Sequence, residues 1–299
     1  MNSDKAYDVA LIGNYTKDTI VTPSGTAYVD GGGMNYSAHA INALGYQAVV
    51  VTRLAKEDDH VVKKFTDAGI DCYPTYAPYS THMKLEYPTT DPDIRTLSVT
   101  HTAGSITPDA VLSLNTRAAS IGPSLRGEVG LDVIKALKDK GVKVAADMQG
   151  YVRVLRGESL VYEPWPEMAE TVAYLDYLKS DAVEAEFLTG EKDIEKAAAF
   201  FASMGAREIV LTHRDGVLIH AEGKFHHFDF HSESLAGRSG RGDTCIGTYT
   251  ARRLDLSPKD AGAWAAAVTS LKVERPGPFN RPLAEVEAFI HKYYPNGRS

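Results

Sequence analysis

Gly237-Arg238-Ser239-Gly240-Arg241-Gly242-Asp243-Thr244-Cys245 opens a helix, and the rest of the chain is best read outward from it. Glycines ahead of a helix let backbone N–H groups converge, and the helix dipole adds positive potential, so an anion binds there. An aspartate in a loop that only held phosphate would repel the charge being held. Asp243 makes sense as acceptor of a proton from a hydroxyl attacking phosphorus beside it, with Arg241 adding charge against the transferring group. Read without chemistry, Gly240 and Gly242 form a tight turn and Asp243 caps the helix. On this segment alone both readings stand. An Arg241-Gly242-Asp243 adhesion tripeptide needs an exposed extracellular loop, and Met1-Asn2-Ser3-Asp4-Lys5 begins no secretory apolar stretch.

Gly242–Leu254 and the Ala-rich Pro258–Val273 read as helices packed together. Upstream, strand Glu208–Leu211 follows a helix ending at Gly205, and strand Val142–Ala146 follows one closed by Gly141. At the start, Tyr7–Ile12 is a short buried strand running into Gly13. Thr16–Val29 then reads as a β-hairpin around Pro23-Ser24-Gly25. Gly31-Gly32-Gly33 leads into a helix over Met34–Leu44, capped by Gly45; a strand (Ala48–Thr52), a helix (about Asp58–Ala68) and Gly69 follow. Cys72–Val99 is strand-like again, with Tyr73, Tyr76, Tyr79 and Tyr87. Strands alternating with helices predict an α/β fold with a mostly parallel sheet covered on both faces. The expectation is one domain over residues 1–299, with a small β lid from two insertions, about 14–30 and about 73–99.

Composition narrows the function. With 299 residues, 43% hydrophobic and 24% charged, the chain has enough apolar residues for a core, and disordered, collagen and coiled-coil classes are out. No apolar run approaches the roughly 20 residues of a membrane span. Two cysteines, Cys72 and Cys245, make neither a disulfide framework nor a Cys-based zinc site. A net charge of -7 without a basic block disfavours nucleic acid. A cytoplasmic protein with no membrane and no nucleic-acid partner is expected. There is no GxxxxGK[ST] loop, and Gly13-Asn14-Tyr15 lacks GxGxxG and enters β structure, so a dinucleotide-binding fold fails both requirements.

Gly240-Arg241-Gly242-Asp243 resembles the GAGD signature of the ribokinase (PfkB) family of sugar and nucleoside kinases. Gly31-Gly32-Gly33-Met34-Asn35, with Leu44-Gly45, resembles its N-terminal glycine motif. Asp18 matches the substrate-binding aspartate, Lys179–Gly190 the NxxE segment, and Val210–Gly216 the nucleotide-binding turn. The matches run in order from about residue 7 to about 279. The resemblance implies a ribokinase-like fold and an ATP- and Mg²⁺-dependent carbohydrate kinase. Asp243 would be the base, and the N–H groups of Gly240, Arg241 and Gly242 the anion hole. Asp18, Gly32 and Asn35 would bind substrate hydroxyls, Glu184 with Asp181 would organise Mg²⁺, and Thr212 with Gly216 would line the nucleotide site. A monovalent-cation site and a homodimer through the lid are left open. Departures are Gly237-Arg238 for Asp-Thr, Arg241 for a small residue, Asp181 for Asn, and His213 for an apolar residue. They bear on the phosphate donor and the cation site.

Asp147–Arg153 follows a strand, where open α/β sheets place ligands. Gln149 can bond vicinal hydroxyls and Arg153 a phosphate oxygen. With the glycine loop and Lys272–Pro278, this segment resembles the myo-inositol kinase branch, which implies a small polyol or sugar acceptor, myo-inositol foremost. A nucleoside held by lid tyrosines is the alternative, and a non-catalytic sugar-binding protein on the same scaffold is another. His227, Asp229 and His231 share a strand face and could hold a transition metal, but Phe228 and Phe230 opposite make a half-buried strand the plainer reading. Cys245 reads as packing, Glu57-Asp58-Asp59 as a helix start, and Lys138-Asp139-Lys140 and Glu195-Lys196 as solvated helix faces.

Overall fold

The computed structural model describes residues 5–89 and 96–295. Part of the second predicted lid insertion and residues Met1 to Asp4 lie outside the described residues. β1 (Ala6–Ile12) precedes a hairpin, β2 (Thr16–Thr22) and β3 (Gly25–Gly31), and the chain returns through α1 (Gly33–Ala43) to β4 (Ala48–Ala55). α2 (His60–Asp67) and β5 (Asp71–Ala77) lead to β6 (Thr81–Glu86) and β7 (Thr96–His101), then α3 (Asp109–Leu112) and β8 (Asn115–Ile121). α4 (Leu131–Asp139), β9 (Lys143–Asp147) and α5 (Gln149–Val152) precede a hairpin of β10 (Arg153–Arg156) and β11 (Ser159–Tyr162). After α6 (Met168–Val172) come β12 (Tyr177–Asp181), α7 (Ala182–Thr189), α8 (Ile194–Ser203) and β13 (Glu208–Thr212). β14 (Gly216–Ala221), β15 (Lys224–Asp229), α9 (Arg241–Arg252), α10 (Pro258–Val273) and α11 (Leu283–Tyr293) complete the order.

Nine strands form one sheet in the order β15-β14-β13-β12-β9-β8-β1-β4-β5. From β5 to β13 every pairing is parallel; β14 and β15 add antiparallel strands at one edge. Central strands are apolar on both faces, as parallel strands under helices must be. In β1, Val9 and Leu11 enter one core with α1, α9 and α10, while Ala10 and Ile12 enter the other with α4 and α8. This is the predicted α/β architecture.

A second, six-stranded sheet has the order β10-β11-β7-β6-β2-β3. It corrects the predicted lid boundaries at two points. β5 carries Tyr73 and Tyr76 but belongs to the large sheet, paired with β4 from Val49–Asp71 to Ala55–Ala77. Pro74 has no N–H to donate, and β5, as an edge strand, tolerates it. The second excursion therefore begins near Thr81. Arg153–Tyr162, of which the sequence reading placed only Arg153, at a strand end, supplies a third piece. Alternation cannot say which of two sheets a strand joins.

The small sheet is fastened to the large one by buried polar groups. Asp58, 2% exposed, accepts from Ser80 Oγ at 2.6 Å and from Lys17 Nζ at 3.0 Å, so it does more than start a helix. Lys138 likewise is no solvated side chain: it donates to buried Asp176 at 2.5 Å. Among the described residues, no helix is long and apolar enough to cross a membrane.

Candidate active site between the two sheets

β9, β12 and β13 end at one place, where Asp147, Asp181 and Thr212 face a cavity of about 190 Å³. The α9 loop, Ser239 to Asp243, forms another wall, and Thr16, Asp18, Met83, Leu85 and Leu97 of the small sheet close it. The position is the carboxyl end of a parallel sheet whose order reverses around β1, where such folds bind ligands. The cavity continues into a cleft of about 660 Å³ that shares Arg153, Asp181, Arg238 and Arg241 and adds Tyr87 and Tyr162.

Asp243 stands in the first turn of α9, and glycine backbone packs on its carboxylate. A Cβ at Gly33 would run into Asp243 Oδ1, and Gly122 lies on the same side. Burial, reinforced by Asp147, pushes Asp243 up to about 6, while Lys179, Lys272 and Arg153 hold it down. Ser37 Oγ donates to the Asp243 carbonyl at 2.8 Å, tying α1 to the helix start. Gly240 takes φ 74°, where a side chain would be strained and would also strike the Tyr36 ring. A Cβ on Gly242 would lie 2.6 Å from Lys179 Nζ.

The Thr244 N–H gives the first bond into the α9 ladder, to Gly240 C=O at 2.9 Å, so the Gly242 amide precedes the ladder. The Arg241 amide differs from expectation: it donates to Arg238 C=O at 3.2 Å. The turn needed to start the helix uses that amide, which leaves Arg241 to act through its side chain. The guanidinium lies 5.9 Å from the Phe230 ring centre.

Asp18 lines the cavity, and burial pushes it up to about 6, with Asp30 and Asp243 adding to the rise and Thr16 opposing it. Gly31 lies so close that a Cβ would overlap its carboxylate. Gly32, with φ 95°, lines the same wall. Asn35 does not: its Nδ2 donates to Asp30 C=O at 3.1 Å, and it lines a separate groove with His39 and Phe65. One residue further along α1 is a turn of about 100°, and Tyr36, between Asp18 and Asp243, occupies the wall instead.

Gln149 and Arg153 both face the cavity, and Arg153 is 6% exposed. Thr212 reaches it as well. Gly216 does not: its carbonyl accepts the His213 N–H at 2.9 Å, closing the β13–β14 turn, and a Cβ would strike Phe228 C=O. Glu184 is 1% exposed and folded back into a capping box, its Oε2 accepting the Asp181 N–H at 3.0 Å while Asp181 accepts the Glu184 N–H at 2.8 Å. Burial pushes Glu184 up to about 7. Of this pair only Asp181 lines the cavity, so direct metal ligation by both carboxylates is not what the fold arranges.

Lys179 is the principal residue that sequence reasoning passed over. It stands at the middle of β12, is 3% exposed, and pairs with Asp147 at 2.9 Å directly under the glycine loop. Burial opposes its charge, but Asp147, Glu184 and Asp181 together hold its pKa above the ordinary lysine value. The available signal was a lysine within a strand that follows Tyr177 and Leu178 and is buried almost throughout. Cys245 is fully buried and pushed up to about 11, which makes it a packing residue. His227 pairs with Glu195 at 2.8 Å, and His231 stacks on Tyr293. Among the described residues, no group of three or more His, Cys, Asp or Glu could hold a metal.

An anion-receiving glycine loop, a carboxylate beside it and a polar cavity at the sheet's carboxyl edge define a phosphotransferase acting on small alcohols. The chain belongs to the pfkB family of carbohydrate kinases, whose model matches residues 5–284. No curated protein matches the sequence. A pyrophosphate-dependent kinase in the ribokinase family, complexed with a pyrophosphate analog and myo-inositol, is 33% identical. The match covers 94% of this chain and 99% of that one, with a TM-score of 0.86. A pyrophosphate-dependent myo-inositol-1 kinase, converted into a myo-inositol-3 kinase by replacing an asparagine and a serine with leucines, is 32% identical. It covers 96% and 99%, with a TM-score of 0.86. The fold is also that of Arabidopsis thaliana ribokinase complexed with ribose and ATP, at 17% identity, 96% and 99% coverage and a TM-score of 0.77.

Proposed function

We propose that this carbohydrate kinase transfers a phosphoryl group from pyrophosphate to a hydroxyl of myo-inositol. The observation that carries the donor is the cleft beside Asp243, where Arg153, Arg238 and Arg241 converge with Asp181 and Ser159. Pyrophosphate is charge throughout and is met by guanidinium groups; a nucleotide also needs a slot for its base. The pyrophosphate-dependent neighbours support the same donor over the ATP expected from sequence.

Asp18, Gln149 and the Gly32 backbone face the acceptor end and present carboxylate, amide and main-chain partners to a ring of hydroxyls. The opposite wall bears on regiochemistry. Leu85 and Leu97 are cross-strand partners on β6 and β7, and both line the cavity. Two leucines are what the 1-kinase neighbour acquired to become a 3-kinase. The 1- and 3-hydroxyls of myo-inositol are mirror-related, so the choice depends on which ring edge faces polar groups and which faces an apolar wall. The leucine pair supports phosphorylation at the 3-hydroxyl.

In the step itself Asp243 accepts the hydroxyl proton as the oxygen bonds phosphorus and the bridging P–O bond breaks, releasing phosphate. The Gly240 and Gly242 N–H groups and Lys179 meet the charge on the transferring group, and Arg241 and Arg238 hold the leaving phosphate. With Asp181 the one carboxylate lining the donor cleft among the described residues, the residues fit a Mg²⁺ that arrives on donor phosphate, where it would neutralise donor charge.

Phosphorus NMR with pyrophosphate, ATP or ADP against myo-inositol, hexoses, pentoses and nucleosides tests this reading. Turnover of pyrophosphate and myo-inositol to a single enantiomer, the 3-phosphate, is expected, with the enantiomer assigned by chiral chromatography because mirror-image phosphates share one phosphorus spectrum. Turnover with ATP alone overturns the donor, and a nucleoside product overturns the acceptor. Ligand-induced thermal stabilisation without turnover from any pair would instead mark a sugar-binding protein.

A further inference from the structure

Lys272 lies in the last turn of α10, is 2% exposed, and lines neither the cavity nor the cleft. Its Nζ donates to the Gly237 carbonyl at 2.5 Å and to the Ser239 carbonyl, and it stands 4.9 Å from the centre of the Tyr36 ring. The end of α10 grips the same loop again, through the Gly237 N–H on Val273 C=O at 2.7 Å. Gly237 is pressed so closely on the Arg275 backbone that a Cβ would overlap it. Burial lowers Lys272 to about 8, against the attraction of Asp243.

A trans peptide points its C=O and N–H to opposite sides. With the Ser239 carbonyl held on the Lys272 side, the N–H of the same peptide, that of Gly240, is turned the other way. Gly240 lines the cavity and Lys272 does not, so the other way is toward the reacting phosphoryl.

We propose that Lys272 is a tethered cation that sets the anion hole, its ammonium drawing back the Gly237 and Ser239 carbonyls so that the Gly240 N–H faces the cavity. Converging backbone carbonyls are ligands a monovalent metal ion would take, and here an ammonium already satisfies them, so activity needs no added K⁺ or Na⁺. The inference rests on phosphoryl transfer at Gly240–Asp243 and makes Lys272 a positioning residue.

Lys272→Met and Lys272→Arg are compared with wild type in choline buffer, with ammonium or methylammonium then added. The readouts are pyrophosphate affinity by calorimetry, kcat, acceptor KM and thermal unfolding. For Lys272→Met, losing a charge-assisted bond lowers pyrophosphate affinity about tenfold, and a disordered hole lowers kcat about 100-fold. Acceptor KM stays within about threefold, since acceptor groups lie elsewhere. Added ammonium or methylammonium recovers at least about tenfold of the lost rate by refilling the carbonyl pair, and Lys272→Arg exceeds Lys272→Met. Three results each overturn the proposal: wild-type rates in Lys272→Met, loss that no cation restores, or a wild type that requires K⁺. If wild type uses only ATP, the pyrophosphate reading falls and the variant ratios are read with ATP. If no donor works, the proposed reaction falls and pyrophosphate affinity still decides Lys272.

Discussion

Asp243 carries its charge in a place that resists it, and that suits the role of proton acceptor proposed for it. Burial and Asp147 push it up to about 6, close enough to neutrality to take a proton from an alcohol, while Lys179, Lys272 and Arg153 keep the anion available. The base form is present above that value, so kcat/KM should fall about tenfold per pH unit below pH 6. A profile flat to pH 5 would remove Asp243 from the role. Asp243→Asn should keep its fold by circular dichroism, since it removes a buried charge, and lose about 100- to 10,000-fold in kcat. The reading of Asp243 as proton acceptor began from its residue type, which conflicts with a purely anion-binding loop. Tyr36 and Lys179 were not legible. Asn35 and Tyr36 are adjacent in sequence, and only the rotation of α1 in its packing on α9, β4 and β1 decides which one faces the cavity. Lys179 gains its place from Asp147, 32 residues away.

At the scale of the element, α9 holds Asp243 at its start and a structural anchor at its end. Glu208, at the beginning of β13, accepts from Tyr249 Oη at 2.6 Å and from Arg253 Nε and Nη2, each at 2.8 Å. That pair is largely buried, so Glu208→Gln should cost about 3 kcal/mol by leaving an arginine without its partner. Urea denaturation measures the loss, and an unchanged midpoint would show the anchor to be dispensable. Activity of the folded fraction should persist, because Asp243 is held separately by Ser37 and the glycines. Gly247 permits this arrangement: a Cβ there would meet Ser37 at 2.8 Å, which is how closely α1 and α9 approach. The helices themselves were readable from Gly stops and apolar spacing, and Pro258–Val273 matches its predicted bounds. The packing of α9 on α10 was expected and is present, whereas the close approach of α1 to α9 was not, since neither apolar face names its partner.

At the scale of the molecule, the site is a gap between two sheets, and ligand should bind them together. Pyrophosphate with myo-inositol should slow amide exchange in β6, β7 and β10–β11, which line the cleft, and leave α11 unchanged. At about 100 times its Kd the donor should add about 2.7 kcal/mol to stability. Hydrogen exchange by mass spectrometry reads the first effect; uniform protection, or none in the small sheet, would separate that sheet from ligand binding. Three stretches far apart in sequence build this wall: 16–31, 81–101 and 153–162. The first was recognised as a hairpin, the second was drawn too long at its start, and the third was missed. Four-residue strands such as β10 and β11 carry too few alternations to register.

By itself the sequence determined the α/β class, the position of the glycine loop, the aspartate that faces it, and the resemblance to a kinase family. Each of these depends on neighbours along the chain, on periodicity and on residue type. Only the tertiary structure decided that β5 belongs to the large sheet, that Glu184 is folded into its own helix cap, and that Tyr36 and Lys179 complete the site. It also decided that Leu85 stands opposite Leu97 and that Lys272 holds the loop before Asp243. Apart from the Asp181–Glu184 cap, these facts depend on pairs distant in sequence, such as Leu85–Leu97, 12 residues apart, and Lys272–Ser239, 33 apart, and the free energy of such contacts comes from burial and register, which no local pattern encodes. A lysine near the end of a helix reads as solvated until the fold shows two carbonyls waiting for it.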